Sequence, residues 1–300
     1  MIRQVSKAPA PLRSAVLALV IGASALAAAP GAALAGSAPA NDSFASATQI
    51  AYLPFEDSFV DNASATLENG ETDNGCYGDI DATVWYRITP SRSYAIRVRV
   101  IPVNGFDPVL GVHEASSIND LLPISCEDPG WSGETETAIV SLISGHSYFI
   151  QVGNLDSADT GQFTVKVKRL AGPANDHFAN ASTLALGSIT TAATTTATIE
   201  ADEPAPSCGY SIGRTVWYRY TPTTTRTVVV NTIGSGFDTV LAAYTGSSVG
   251  ALNGIACNDD RGVDLASKIR FRVVAGNTYY FQVGGYWGQG GELVLRLKTP

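Results

Sequence analysis

Ser267-Lys268-Ile269-Arg270-Phe271-Arg272-Val273 places Ile269, Phe271 and Val273 on one side of an extended chain, and Lys268, Arg270 and Arg272 on the other. Side chains alternate across a strand with a period of two, so the segment reads as a strand with one buried and one wet face. Arg97-Val98-Arg99-Val100 alternates in the same way. Working outward, further strands are expected near residues 215–220, 226–233, 239–244, 278–283 and 291–297. Clusters of Gly, Asn, Ser and Asp separate them at intervals of about 8–12 residues, the spacing of a β-sandwich. A helical period occurs only at the start of each copy of the repeat described next. There Asn175 or Asp176 is expected to cap one short turn that buries Phe178 and Ala181. The fold class read from this pattern is all-β: antiparallel, jelly-roll-like sandwiches with little helix.

The chain repeats itself. Ala40-Asn-Asp-Ser-Phe-Ala-Ser-Ala47 returns as Ala174-Asn-Asp-His-Phe-Ala-Asn-Ala181, and Thr83-Val-Trp-Tyr-Arg87 returns as Thr215-Val-Trp-Tyr-Arg219. Gly105-Phe-Asp-Pro-Val-Leu110 returns as Gly236-Phe-Asp-Thr-Val-Leu241, and Gln151-Val-Gly153 as Gln282-Val-Gly284. The offsets are 134, 132, 131 and 131 residues, far above the period of a solenoid repeat. They imply duplication of a whole domain, each copy large enough to fold alone. The expected organisation is one sandwich over residues 36–170 and a second over 174–300, with Ala171-Gly172-Pro173 as a seam too short to let them separate.

Residues 1–35 read as a secretory signal peptide. Arg3, Lys7 and Arg13 precede an Ala/Leu/Val run over Ser14–Ala29, and Ala33-Leu34-Ala35 fits a small-x-small cleavage site. The alternative is an uncleaved membrane anchor. Three positive charges and no acid lie in that segment, so its removal takes the formal charge from −8 to −11. A chain this acidic repels phosphate backbones, which argues against nucleic acid as a partner. With 45% apolar residues there is ample material for a core, which excludes disorder. No second apolar run approaches the length of a membrane span, so the mature form is expected to be secreted or held at the cell surface without spanning a membrane.

Four cysteines fall two to a copy. Cys76 and Cys208 each precede the Thr-Val-Trp-Tyr segment by seven residues, and Cys126 and Cys257 follow the Phe-Asp segment at matching distances. In an exported chain, duplicated positions point to one disulfide inside each domain, Cys76–Cys126 and Cys208–Cys257. The alternative is a metal site, but two thiols without a paired His do not make a zinc tetrahedron.

Taken in order, Asn-Asp-x-Phe-Ala-x-Ala, Glu-x-x-Glu, Val-Trp-Tyr-Arg-x-Thr-Pro, Phe-Asp-x-Val-Leu-x-x-Tyr-Thr-Gly, Asn-Asp-Asp and Ala-Gly-x-Thr-Tyr-Tyr resemble the bacterial pre-peptidase C-terminal (PPC-type) domains. The second copy carries nearly all of them. The first departs at His113-Glu114-Ala115, where the second has Tyr244-Thr245-Gly246, and at Glu127-Asp128-Pro129, where it has Asn258-Asp259-Asp260. The resemblance implies non-catalytic β-sandwiches of secreted bacterial proteins. Such domains usually trail a catalytic domain, and some bind protein fibres or calcium.

The residues themselves offer an acidic site. Glu200 and Glu203 lie before the Trp strand and Asn258, Asp259 and Asp260 follow the second half-cystine; the first copy offers Glu68, Glu71, Glu127 and Asp128. A Cys208–Cys257 bond would draw the two loops together, and clustered hard oxygens from loops are what Ca²⁺ selects. The plain alternative is solvated acids and turn formers, which is also the preferred role for Asp107 and Asp238. Trp85 and Trp217, in matching slots inside a strand, read as core. Trp131 and Trp287 lie in Gly-rich loops, each without a counterpart in the other copy, so the shared scaffold does not need them; local loop packing is the preferred reading, and the alternative is that loop aromatics of this kind stack on sugars or anchor an interface.

Catalytic readings are poor. Gly246-Ser-Ser-Val-Gly250 matches Gly-x-Ser-x-Gly, yet it falls between two expected antiparallel strands rather than on a strand-to-helix elbow. His113, His146 and His177 are each replaced in the other copy. Glu200 and Glu203 are the nearest approach to a glycosidase pair, without a cleft to serve. The expected function is a non-catalytic binding or accessory protein that presents loops to an extracellular protein or polysaccharide, with calcium as the one candidate cofactor. The alternatives are a structural envelope or matrix component and a secreted hydrolase.

Overall fold

The computed structural model describes residues 37–71, 80–103, 105–128, 133–154, 160–208, 211–260 and 265–300. The signal-peptide reading of residues 1–35, Cys76 and Trp131 lie outside them. Among the described residues no helix is long and apolar enough to cross a membrane.

The first copy contributes β1 (Thr48–Gln49), β2 (Phe55–Asp61), β3 (Asp81–Ile88), β4 (Tyr94–Pro102), β5 (Val109–Glu114), β6 (Leu122–Glu127), β7 (Glu136–Leu142), β8 (Tyr148–Asn154) and β9 (Gln162–Arg169). The second contributes β10 (Ser182–Thr183), β11 (Ile189–Ala193), β12 (Ile212–Tyr220), β13 (Arg226–Asn231), β14 (Thr239–Gly246), β15 (Leu252–Asn258), β16 (Lys268–Val273), β17 (Tyr279–Tyr286) and β18 (Glu292–Lys298). The first set builds sheets ordered β1-β3-β8-β5-β6 and β2-β9-β4-β7; the second builds β10-β12-β17-β14-β15 and β11-β18-β13-β16. The two sets share one topology. In each, four antiparallel pairs nest inside one another, β2/β9, β3/β8, β4/β7 and β5/β6 in the first, as if one long hairpin had been rolled up. That winding is the jelly roll. The expectation of purely antiparallel sheets needs one amendment: the two-residue strands β1 and β10 join β3 and β12 in parallel.

The alternation of β16 holds: Ile269 and Val273 are buried while Lys268, Arg270 and Arg272 are not. Val84, Tyr86 and Ile88 of β3 face the core between the sheets of the first copy, joined there by Val98, Leu110, Ile150 and Phe163. Val216, Tyr218 and Tyr220 of β12 do the same in the second, with Val230, Leu241, Phe281 and Leu295. Trp85 and Trp217 are fully buried, but on the opposite face of their strands, in small clusters of their own. Phe44 and Phe178, on single 3-10 turns (Phe44–Ser46 and Phe178–Asn180), cover them edge-on at 5.4 and 5.3 Å. This explains why the Trp strand is buried on both faces and does not show the alternation of its neighbours.

Neither turn is capped as the sequence suggested. Its N-cap residue is Ser43 or His177, without a side-chain cap bond. Asn175 instead pairs with Trp217 like a strand residue, Nδ2 donating to Trp217 O at 2.9 Å while Trp217 N donates to Asn175 O at 2.8 Å. The Asp176 carboxylate accepts from Thr198 N and Oγ1. Asn41 and Asp42 make the same bonds to Trp85 and Thr66.

Gly36–Pro300 form one compact unit, and among the described residues two hydrogen bonds run between the copies within it. Ser141 Oγ donates to Ala197 O at 2.7 Å, and Arg214 Nη2 donates to Ile139 O at 3.1 Å. Arg214 stands in the bulge where β12 shifts register between Gly213 and Val216, with φ of 52°. A bulge bends a strand and re-aims one side chain; here it sends the guanidinium toward the first copy.

Candidate functional site

The Glu-x-x-Glu acids turn inward. Glu200 Oε2 accepts from Phe178 N at 2.6 Å, tying down the turn that covers Trp217. The Glu203 carboxylate accepts from Thr215 Oγ1 at 3.0 and 2.8 Å, from Gln282 Nε2 at 2.9 Å and from Glu200 N at 2.8 Å. The Trp217 indole helps hold this charge, although its Nε1 lacks a hydrogen bond of normal geometry. In the first copy Glu68 accepts from Phe44 N, and Glu71 accepts from Thr83 Oγ1, Trp85 Nε1 and Gln151 Nε2. Burial pushes the carboxyls of Glu71 and Glu203 above the ordinary range, and these hydrogen bonds pull part of the way back. Both copies thus spend this motif on internal bonding. The repeated Gln151 and Gln282 are the signal in the sequence that could have shown it.

The loop acids separate from them. Asp259 and Asp260 group with Asp238, one carboxylate oxygen of each lying within 4.8 Å of the others, and Glu200 and Glu203 are not in that group. Asn258 is engaged locally, donating from Nδ2 to Asp260 O and accepting at Oδ1 from Lys268 N. Asp238 N donates to Gln289 Oε1 and Asp238 O accepts from Tyr286 N, while its Oδ1 is buried without a hydrogen-bond partner. Burial and the charges of Asp259 and Asp260 raise its carboxyl. In the first copy Glu127 accepts from Ser125 Oγ at 2.6 Å. Asp128 is raised by burial and by Asp107. Sequence reasoning overlooked Glu136, which opens β7 nearby and is 1% exposed.

Between Cys208 and Cys257 the expected bond is present, with Cα atoms 5.6 Å apart. It fastens the chain before β12 to the edge strand β15.

Trp287 is 71% exposed, with φ of 51°, a conformation L residues seldom adopt. Its N–H donates to Ser211 O at 3.0 Å, which lays the turn 287–288 against β12. A Cβ on Gly213 would stand 2.7 Å from Gly288 Cα, so only glycine permits that approach. Trp287 borders a groove of about 520 Å³ that also takes in Leu122, Ile124, Ile139, Ile212 and Arg214. Arg214 forms no ion pair among the described residues, and burial lowers its pKa.

The histidines are dispersed. His146 Nδ1 lies 2.6 Å from Glu114 Oε1, and His177 lies 3.8 Å from Glu200. Among the described residues no hydroxyl or thiol is hydrogen-bonded to a histidine ring. Gly246 and Leu252 pair across the β14–β15 hairpin, so the Gly-x-Ser-x-Gly match is a hairpin loop. His113 is fully buried, neither ring nitrogen has a hydrogen bond of normal geometry, and burial lowers its pKa from 6.5 to about 4 against a weak upward pull from Gln151. Below pH 6.5 the unfolded chain takes up a proton that the folded chain refuses down to about pH 4. Stability should therefore fall across that window, by roughly 3 kcal/mol from this group at the acid end. His113→Tyr, which copies Tyr244, should flatten the acid limb of a denaturation-versus-pH curve; an unchanged limb would contradict the assignment.

No family model and no curated protein matches the chain. Among solved structures, the pre-peptidase C-terminal domain of collagenase from Bacillus anthracis is 15% identical, with 39% of this chain and 94% of that chain covered and a TM-score of 0.28. The CBM22-1-CBM22-2 tandem domain of Paenibacillus barcinonensis Xyn10C is 11% identical, with 70% of this chain and 80% of that chain covered and a TM-score of 0.23.

Proposed function

We propose that this chain is a secreted, non-catalytic binding module that grips an extracellular polymer, polysaccharide or protein, at the groove beside Trp287. The observation that carries this reading is Trp287 itself. A large aromatic ring held 71% exposed by a backbone turn with φ of 51° is disfavoured twice over, by hydration of the ring and by the conformation. A ligand that stacks on the ring recovers that cost. Tryptophan is the residue most enriched among binding hot spots, because it offers a wide apolar face with little conformational entropy to lose. The groove supplies apolar walls from Leu122, Ile124 and Ile139, and Arg214 brings a positive charge without a carboxylate. The Cys208–Cys257 bond fits an oxidising compartment.

The test is retention of the protein on cell-wall and matrix polymers. Trp287→Ala touches no core cluster and should leave the melting transition in place while weakening retention about tenfold on whichever polymer binds. Equal retention of wild type and variant would refute the site, and retention by none of the polymers would refute the function.

A further inference from the structure

The four-stranded sheet of the second copy is charged against the rest of the chain. The chain has 27 acids and 19 Lys and Arg, yet strands β11, β18, β13 and β16 hold six cations and one acid, Glu292. Five of the six share the face turned away from the core: Lys268, Arg270 and Arg272 on β16, and Arg296 and Lys298 on β18. The register sets them on either side of β13. Lys268 and Arg296 flank Asn231, Arg270 and Lys298 flank Val229, and Arg272 lies opposite Thr227. Asn231 and Val229 are 2% and 3% exposed, so a neutral floor runs between two basic flanks about 10 Å apart. Among the described residues none of the five forms an ion pair. Glu292 stands at the other end of β18, opposite Ala193.

Protection of a sheet edge accounts for only part of this. Cations on an edge strand discourage pairing with another chain, and β16 is an edge. But β18 lies inside the sheet, between β11 and β13. The first copy uses the matching edge differently. There β7 carries Thr137, Ile139 and Ser141 in place of Lys268, Arg270 and Arg272, each pair 131 residues apart. Through Ile139 and Ser141 that edge meets the second copy. The same strand is neutral where it meets its neighbour and basic on the copy where Lys268, Arg270 and Arg272 are exposed.

We propose that this face binds a linear acidic polysaccharide, whose chain runs along β13 while its carboxylate or sulfate groups meet the basic flanks. Guanidinium forks match the paired oxygens of such groups, and the lysines add mobile point charges. A single thin chain suits a basic strip three strands wide. A duplex or a flat anionic membrane would press against the acidic remainder of the chain. Single-stranded nucleic acid binds by stacking its bases on aromatic rings, and Thr227, Val229 and Asn231 offer none. The site is separate from the groove beside Trp287 and stands whether or not that groove binds a polymer.

Affinity of the full chain for immobilised polygalacturonate and dextran sulfate tests it, with neutral dextran and single-stranded DNA as further arms. Wild type should bind one or both acidic polymers, less so as salt is raised, and should not bind dextran. The two acidic arms distinguish carboxylate from sulfate as the recognised group. Arg270→Gln with Lys298→Gln should weaken that affinity about tenfold. Its melting midpoint should stay in place or rise, because crowded like charges are removed. Arg92→Gln with Arg169→Gln makes the same change in net charge at exposed residues of the first copy, and should leave the affinity within about twofold. Trp287→Ala should keep the salt-sensitive part of retention that the Arg270/Lys298 variant loses, so the two sites fail separately. Absence of wild-type binding to both acidic polymers, or equal weakening by the two charge pairs, overturns the site. Single-stranded DNA bound as tightly as either acidic polymer overturns the assignment to polysaccharide.

Discussion

Replacing Cys208 and Cys257 together by serine is expected to lower stability by about 4 kcal/mol. The bond joins residues 49 apart in sequence, and the unfolded chain without it regains the freedom of that whole loop. The folded state loses little in exchange. The bond ties the segment before β12 to β15, an edge strand whose residues Asn253, Gly254 and Ile255 are exposed. So little apolar burial holds β15 in place that it should be the first part to fray. Equilibrium denaturation of oxidised wild type and the double variant checks this. A difference under about 1 kcal/mol would mean that the unfolded chain is already compact between the two positions.

Glu203→Ala should cost about 3–5 kcal/mol, and Glu71→Ala a similar amount in the first copy. Removing the Glu203 carboxylate strands the Thr215 hydroxyl, the Gln282 amide and the Glu200 N–H together, in a region sealed by Trp217 and Phe178. Tyr244 would feel it as well, since its hydroxyl donates to Gln282 Oε1 at 2.9 Å. Denaturation with and without calcium separates the two possible roles of the acid. A loss equally large with and without the ion marks an internal bonding role. A loss confined to the calcium-loaded protein would make Glu203 a metal ligand instead of an internal hydrogen-bond acceptor.

Sequence order carried the architecture because two signals agreed. Period-two alternation in Lys268–Val273 and Arg97–Val100 requires one wet face, and the repeated offsets place the same elements twice. The strands of the second copy that escaped are β10, β11 and β15, all at sheet edges. Ile189-Thr-Thr-Ala-Ala193 and Leu252-Asn-Gly-Ile-Ala-Cys-Asn258 bury too little to show a pattern, and their pairing is dictated by β18 and β14. The site was less legible for a related reason. Glu200, Glu203, Asn258, Asp259 and Asp260 look alike as a string of acids and amides near the half-cystines. Only the fold shows that Glu203 meets Gln282, 79 residues away, while Asp259 and Asp260 meet Asp238. Glu136 carried no signal at all, because a lone Glu at the start of a strand normally faces water.

The order of strands in the four-stranded sheets bears on how such a molecule comes to completion. β9 lies between β2 and β4, and β18 between β11 and β13, so in each copy the segment made last is the one that fills the middle. Until it arrives, two earlier strands stand apart with bare backbone on their facing sides, open to the equivalent gap in the neighbouring copy. Two copies with one winding, joined by a three-residue seam, therefore guard against strand exchange through the side chains in which they differ rather than through their path.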